Sequence, residues 1–138
     1  MTEIHDIEQI AIVGTGLLGA SLGAALKHRG FEGRIVGVGR RTSTLEKAKQ
    51  VGAIDEGTTD LPGALNTTQL MVIAVPLSGF DAVFEQIAGH EHERLVITDV
   101  GSTKVAVQQA AERLLKKPAC FVGAHPMAGS EQHGPEAA

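Results

Sequence analysis

Apolar residues along the chain alternate between two patterns. Uninterrupted runs at 10–13 (IAIV), 35–38 (IVGV), 70–75 (LMVIAV) and 95–97 (LVI) are too short for helices. They read as strands buried on both faces, as in a parallel sheet. A fifth run at 120–122 (CFV) closes the series, and a weak one lies near Ala53 and Ile54. Between the runs the period becomes helical. Leu18, Leu22, Ala25 and Leu26 form one apolar stripe, as do Phe80, Val83, Phe84 and Ile87, and again Val107, Ala111, Leu114 and Leu115. Gly30 and Pro118 stand where the first and last of these helices should stop. Strand and helix in alternation predict right-handed crossovers and a sheet covered on both sides. The expected fold is α/β, a doubly wound, mostly parallel sheet. No repeat, low-complexity tract or linker divides the chain, so residues 1–138 are expected to form one domain.

Composition narrows the function. At 43% hydrophobic and 20% charged, the chain can build an ordinary globular core, and its longest apolar run is far short of a membrane span. Twelve Lys and Arg against sixteen Asp and Glu give a net charge of -4, the wrong sign for a general polyanion binder. Without Trp or Tyr, and with four Phe, a base-stacking platform is not expected either. Neither a nucleic acid nor a membrane is therefore an expected partner. The single Cys120 cannot form an internal disulfide, and the opening MTEIHDIEQI does not read as a secretory signal. A cytoplasmic location is expected.

The 17 glycines carry the first chemical clue. Val13 leads into Gly14-Thr15-Gly16-Leu17-Leu18-Gly19, a Gly-x-Gly-x-x-Gly pattern that follows a strand and opens an amphipathic helix. In that context Gly14 permits the tight turn, Gly16 lets the backbone approach a pyrophosphate, and Gly19 lets helix and strand pack closely. The free amides and positive dipole end of the helix face the phosphates. The other reading of these glycines is a βα turn built for packing alone. Val75-Pro76 ends a strand at the same sheet edge and either walls the ribose side of the cofactor or simply stops the strand.

A Rossmann-type dinucleotide fold reads the adenosine ribose about 20 residues past the last glycine. Counting from Gly19 reaches Gly39, followed by Arg40, Arg41, Thr42 and Ser43, and no acid lies between Arg34 and Leu45. A carboxylate would accept hydrogen bonds from the 2′-hydroxyl of NAD, whereas a guanidinium offers a 2′-phosphate a forked, charge-assisted contact. The expected cofactor is therefore NADP, with NAD the second choice. Arg40 and Arg41 also suit a solvated turn, and Ser43 a helix cap completed by Glu46 in a capping box.

Two later segments go beyond cofactor binding. One strand leads into Asp99-Val100-Gly101-Ser102-Thr103-Lys104, and the last leads into Gly123-Ala124-His125-Pro126-Met127-Ala128-Gly129-Ser130-Glu131. Both follow carboxyl ends of strands, where an open α/β sheet presents its ligand crevice. Together with the glycine loop, and in this order, the segments resemble the prephenate/arogenate dehydrogenase family across essentially the whole chain. The Gly39-Arg40-Arg41 turn looks like that of the NADP-using members.

The resemblance implies oxidative decarboxylation of prephenate or arogenate in tyrosine biosynthesis, with catalytic roles for His125 and Ser102. The family histidine at the position of His125 bonds the ring hydroxyl and takes its proton. Imidazole suits that task because its unperturbed pKa is about 6.5. Ser102 matches the serine that helps orient this histidine, although N-capping of the following helix explains it equally well. Glu131 matches an acid near the substrate, or is a solvated charge. The role of Lys104 stays open. Family members carry a helical C-terminal domain that pairs two subunits into a homodimer and supplies basic residues for the substrate carboxylates. No counterpart follows Ala138 in this sequence, so a fragment of a longer two-domain enzyme is expected, able to bind dinucleotide and weak or inactive in turnover.

Other polar features are bland. His90-Glu91-His92 lacks the helical spacing of a zinc site and reads as a solvated turn, so no metal is expected. The ending 132–138 (QHGPEAA) reads as a frayed tail. Two other readings of the chain are a β-hydroxyacid dehydrogenase, whose catalytic lysine should lie on a later helix, and a dinucleotide-sensing module without chemistry.

Overall fold

In the computed structural model, residues 6–125 and 133–138 are described. Glu131, and residues 126–132 with it, lie outside them.

Among the described residues six strands form one sheet: β1 (Gln9–Val13), β2 (Arg34–Val38), β3 (Glu56–Thr58), β4 (Leu70–Ile73), β5 (Val96–Asp99) and β6 (Phe121–Val122). They run in the order β3-β2-β1-β4-β5-β6, and every pairing is parallel. Five α-helices connect them: α1 (Leu17–His28), α2 (Thr42–Gln50), α3 (Leu61–Leu65), α4 (Phe80–Ile87) and α5 (Lys104–Leu114). Side chains of β1 alternate between the two faces. Ile10 and Ile12 join Ala20 of α1 and Leu45 and Ala48 of α2, while Ala11 and Val13 join the cluster under α3, α4 and α5. In that second cluster the ring of Phe84 meets Phe121 edge-on at 5.4 Å, tying α4 to β6.

The expected sheet and its two helical layers are present, with local differences. The weak strand signal at Ala53 and Ile54 marks a buried turn, and β3 forms three residues later. In α1 the buried line is Gly19, Ala20 and Gly23, and Leu18 is 36% exposed. The helix lies so close to its neighbours that a Cβ on Gly19 would stand 2.0 Å from the Gly14 carbonyl oxygen, and one on Gly23 2.1 Å from that of Ala53. The leucine stripe therefore straddles the contact that the small residues make.

The helix starts also differ from expectation. The cap of α2 is Arg41, in extended conformation, and makes no side-chain cap bond. Ser43 already lies inside the first turn, so the Ser43–Glu46 capping box does not form. Thr103 holds the cap position of α5, also without a side-chain bond, which leaves Ser102 in the loop. Coverage of the sheet is incomplete at one end: Val96 is 44% and Val122 60% exposed on the face that α1 and α2 cover elsewhere. The tail is not frayed throughout. Pro135 is buried in a 3-10 turn beside α1 and α2, and Glu136 pairs with Lys47 at 3.0 Å.

Candidate functional site

Strand order reverses between β1 and β4, one strand leading outward to β2 and the other to β5. The loops leaving their carboxyl ends must diverge, and the crevice between them is where open α/β sheets take ligands. A cleft of about 520 Å³ opens there, with Val13, Val38 and Ala74 at its floor.

Local sequence shapes each wall. Gly14 turns the chain out of β1 with φ +94, where its amide donates to Val38 O at 2.9 Å. A Cβ there would lie 2.6 Å from Ala74 O, so the β1 and β4 turns close on each other only around glycine. Gly16 caps α1 and lines the cleft, and nothing stands within 4 Å of the point where its Cβ would be. The first bond along α1 runs from Ala20 N to Gly16 O at 2.9 Å. The amides of Leu17, Leu18 and Gly19 thus lack partners within the helix, and the amino end opens on the cleft.

The far wall comes from the β2 turn. Among the described residues that line it, Arg40 and Arg41 carry the only formal charges, and none is a carboxylate. Neither arginine enters an ion pair among the described residues. Of the other expected cofactor contacts, Thr15, Val75 and Pro76 line the cleft. Leu17, Leu18, Gly19, Thr42 and Ser43 contribute no wall to it. Thr44, Thr59, Ser78 and Gln86 do, without having been expected. Thr44 could have been found from helical spacing, since it lies one turn after Arg41 on α2. No local signal marks Thr59, which enters because β3 pairs with β2.

Ser102 and His125 stand apart from this cleft, at the carboxyl ends of β5 and β6, and both are exposed. Their segments meet at Asp99. Its buried carboxylate accepts from the Gly101 amide at 2.9 Å, from the Ala124 amide at 3.0 Å and from Lys104 Nζ. Sequence reasoning missed this junction, because Asp99 opens a loop motif and gives no sign of burial. Cys120, which leads into the amino end of β6, is a poor candidate nucleophile: burial, then the Glu91 charge, push its thiol above the ordinary value.

The His90-Glu91-His92 turn is a brace rather than a solvated loop. Glu91 accepts from the amides of Gly89 and Lys116, each at 2.6 Å, and of Lys117 at 3.2 Å, while His92 Nε2 contacts Leu65 O at 3.0 Å. Among the described residues, no three His, Cys, Asp or Glu side chains gather as a metal site, and no helix is long and apolar enough to cross a membrane.

Known proteins are similar to this chain in sequence and fold. A prephenate dehydrogenase of Bacillus subtilis is 36% identical over 140 residues, covering 100% of this chain and 37% of its own length. The structure of Aquifex aeolicus prephenate dehydrogenase in complex with hydroxyphenyl propionate and NAD+ superposes with a TM-score of 0.84 at 32% identity, covering 94% of this chain and 45% of that one. Synechocystis arogenate dehydrogenase superposes with a TM-score of 0.82 at 35% identity, with coverage of 94% and 45%. The chain thus spans less than half the length of these relatives. The family model for the nucleotide-binding domain of prephenate dehydrogenase matches residues 22–138, which begin after the glycine loop and include both carboxyl-edge turns. With the cleft at the strand-order reversal and the Asp99 junction beside it, the chain belongs to the prephenate dehydrogenase nucleotide-binding-domain family.

Proposed function

We propose that this chain is the cofactor-binding and histidine-bearing part of an NADP-dependent prephenate or arogenate dehydrogenase. The observation that carries the cofactor reading is the cleft wall: a helix amino end and open backbone at Gly16 at one end, Arg40 and Arg41 without a carboxylate at the other. NADP needs those two features, one for its pyrophosphate and one for its 2′-phosphate. Gly14, Thr15 and Gly16 would hold the pyrophosphate, with the amides of Leu17, Leu18 and Gly19 behind them. Arg40 and Arg41 would meet the 2′-phosphate, Thr42 and Ser43 standing next in the turn, and Val75 and Pro76 would wall the nearer ribose.

A bound nicotinamide supplies the hydride acceptor. His125 bonds the ring hydroxyl of the cyclohexadienyl substrate and takes its proton. The carbinol carbon then releases its C–H pair as hydride, the ring–carboxylate bond breaks to carbon dioxide, and its electron pair completes the aromatic ring. The proton returns to the phenolic oxygen, so substrate and oxidised dinucleotide give phenol, carbon dioxide and reduced dinucleotide. Ser102 orients His125, and Glu131 serves in substrate binding. The reaction belongs in a reducing cytoplasm and the active species is a homodimer. Residues 1–138 alone bind dinucleotide and oxidise prephenate poorly, because near-attack geometry needs the donor clamped from both sides.

The test is His125→Asn in the full-length polypeptide that carries these residues. Prephenate oxidation should fall about 100-fold or more, as for loss of a general base, with dinucleotide affinity within about threefold of the parent. Retained turnover would refute the histidine's role.

A further inference from the structure

Asp99 is a charged side chain with 0% exposure, and the chemistry above assigns it no task. A buried carboxylate persists where donors surround it. Here the donors come from two separate segments. Gly101 in the loop leaving β5 and Lys104 at the start of α5 flank Ser102, and Ala124 immediately precedes His125 in the segment leaving β6.

The strand ladder cannot do this work. β6 has two residues, and its pairing with β5 ends at Thr98 opposite Val122. Side chains continue the tie from there: Thr98 Oγ1 donates to Val122 O at 2.6 Å, and Asp99 Oδ1 accepts from Ala124 N one step further on. The glycine of the loop serves the same contact, since a Cβ on Gly101 would stand 2.9 Å from Asp99 Oδ2. All three partners are donors, so an acceptor-only group is required. An amide would turn its NH₂ toward at least one of them.

We propose that Asp99 is a positioning residue, one buried carboxylate that fixes the Ser102 loop and the His125 segment relative to each other. This rests on the roles given above to Ser102 and His125. Its effect on rate is indirect: a misplacement of about 1 Å between reacting groups costs about 100-fold.

The test compares Asp99→Asn, Gly101→Ala and His125→Asn in the full-length polypeptide. For each, kcat per titrated dinucleotide site, KM for prephenate and Kd for dinucleotide are measured. For Asp99→Asn, Kd and KM should stay within about threefold while kcat per site falls about 100-fold. Gly101→Ala, which keeps the charge and displaces the carboxylate, should fall in between. A merely structural role would reduce the number of binding sites and leave kcat per site unchanged; kcat per site within threefold of the parent overturns the proposal. If His125→Asn alone keeps full activity, the histidine reading has failed. If it loses activity while Asp99→Asn does not, only the Asp99 proposal has failed. Should Asp99→Asn not fold, amide exchange in the unmodified protein decides. Protection at Gly101 and Ala124 supports the tie, and exchange at exposed-loop rates overturns it.

Discussion

Arg40 and Arg41 line the cleft and have no acidic partner among the described residues, so a ligand phosphate would supply a close counter-charge. Charge-assisted hydrogen bonds of that kind are worth about 1.5–3 kcal/mol each. Replacing both arginines by alanine should therefore weaken NADP binding about 100-fold or more and leave NAD binding within about threefold, as read by calorimetric titration. Tighter binding of NAD than NADP by the unmodified protein would defeat the preference. The residue types at this turn are legible in the sequence because the spacing from Gly19 is set by one helix and one strand. Thr59 is not, because it reaches the cleft only through the pairing of β3 with β2.

Among the elements, the turn before β5 shows how a loop is held without a strand or a helix. Glu91 gathers the amides of Gly89, Lys116 and Lys117, linking the end of α4 to the end of α5. Burial alone would raise its carboxyl, but its own amide and those of Lys117, Lys116 and Gly89 outweigh this and hold it below the ordinary 4.5. Asp55 behaves alike: burial raises it, and Lys27 with the Ile35 amide brings it below 3.8. A folded-state value below the unfolded one gives stability that is complete above the unfolded value and lost as pH falls through the folded one. Glu91→Gln should thus lower stability by about 1–2 kcal/mol at pH 7. The gap to the parent should narrow below pH 4.5, measured by urea denaturation at both ends of that window. Helix α1 carries the opposite lesson. Its leucine period predicts the helix correctly and its buried face in part: Leu22 and Leu26 pack against the core, but the helix approaches its neighbours so closely that Gly19, Ala20 and Gly23 form the buried line and Leu18 is left exposed.

For the molecule as a whole, the sheet order places two separate features at one carboxyl edge: the cleft between β1 and β4, and the Asp99 junction between β5 and β6. A ligand that binds only the folded state stabilises it by mass action, by about 2.7 kcal/mol at 100 times its Kd. NADP should accordingly raise the melting temperature, and at equal concentration by more than NAD. A larger shift with NAD, or none with either, would contradict the reading of the cleft.

The sequence by itself determined the alternation of strands and helices, the glycine turn at 14–19 and the two segments after β5 and β6. Each is written in residues a few positions apart, where local sterics and hydrophobic period decide the outcome. Only the tertiary structure decided that Asp99 is buried among donors from two segments, that Glu91 braces two helix ends, and that Thr44 and Thr59 join the arginines in one wall. Those contacts join residues tens of positions apart, and their energies depend on burial that exists only once the parallel sheet has brought its strands into register.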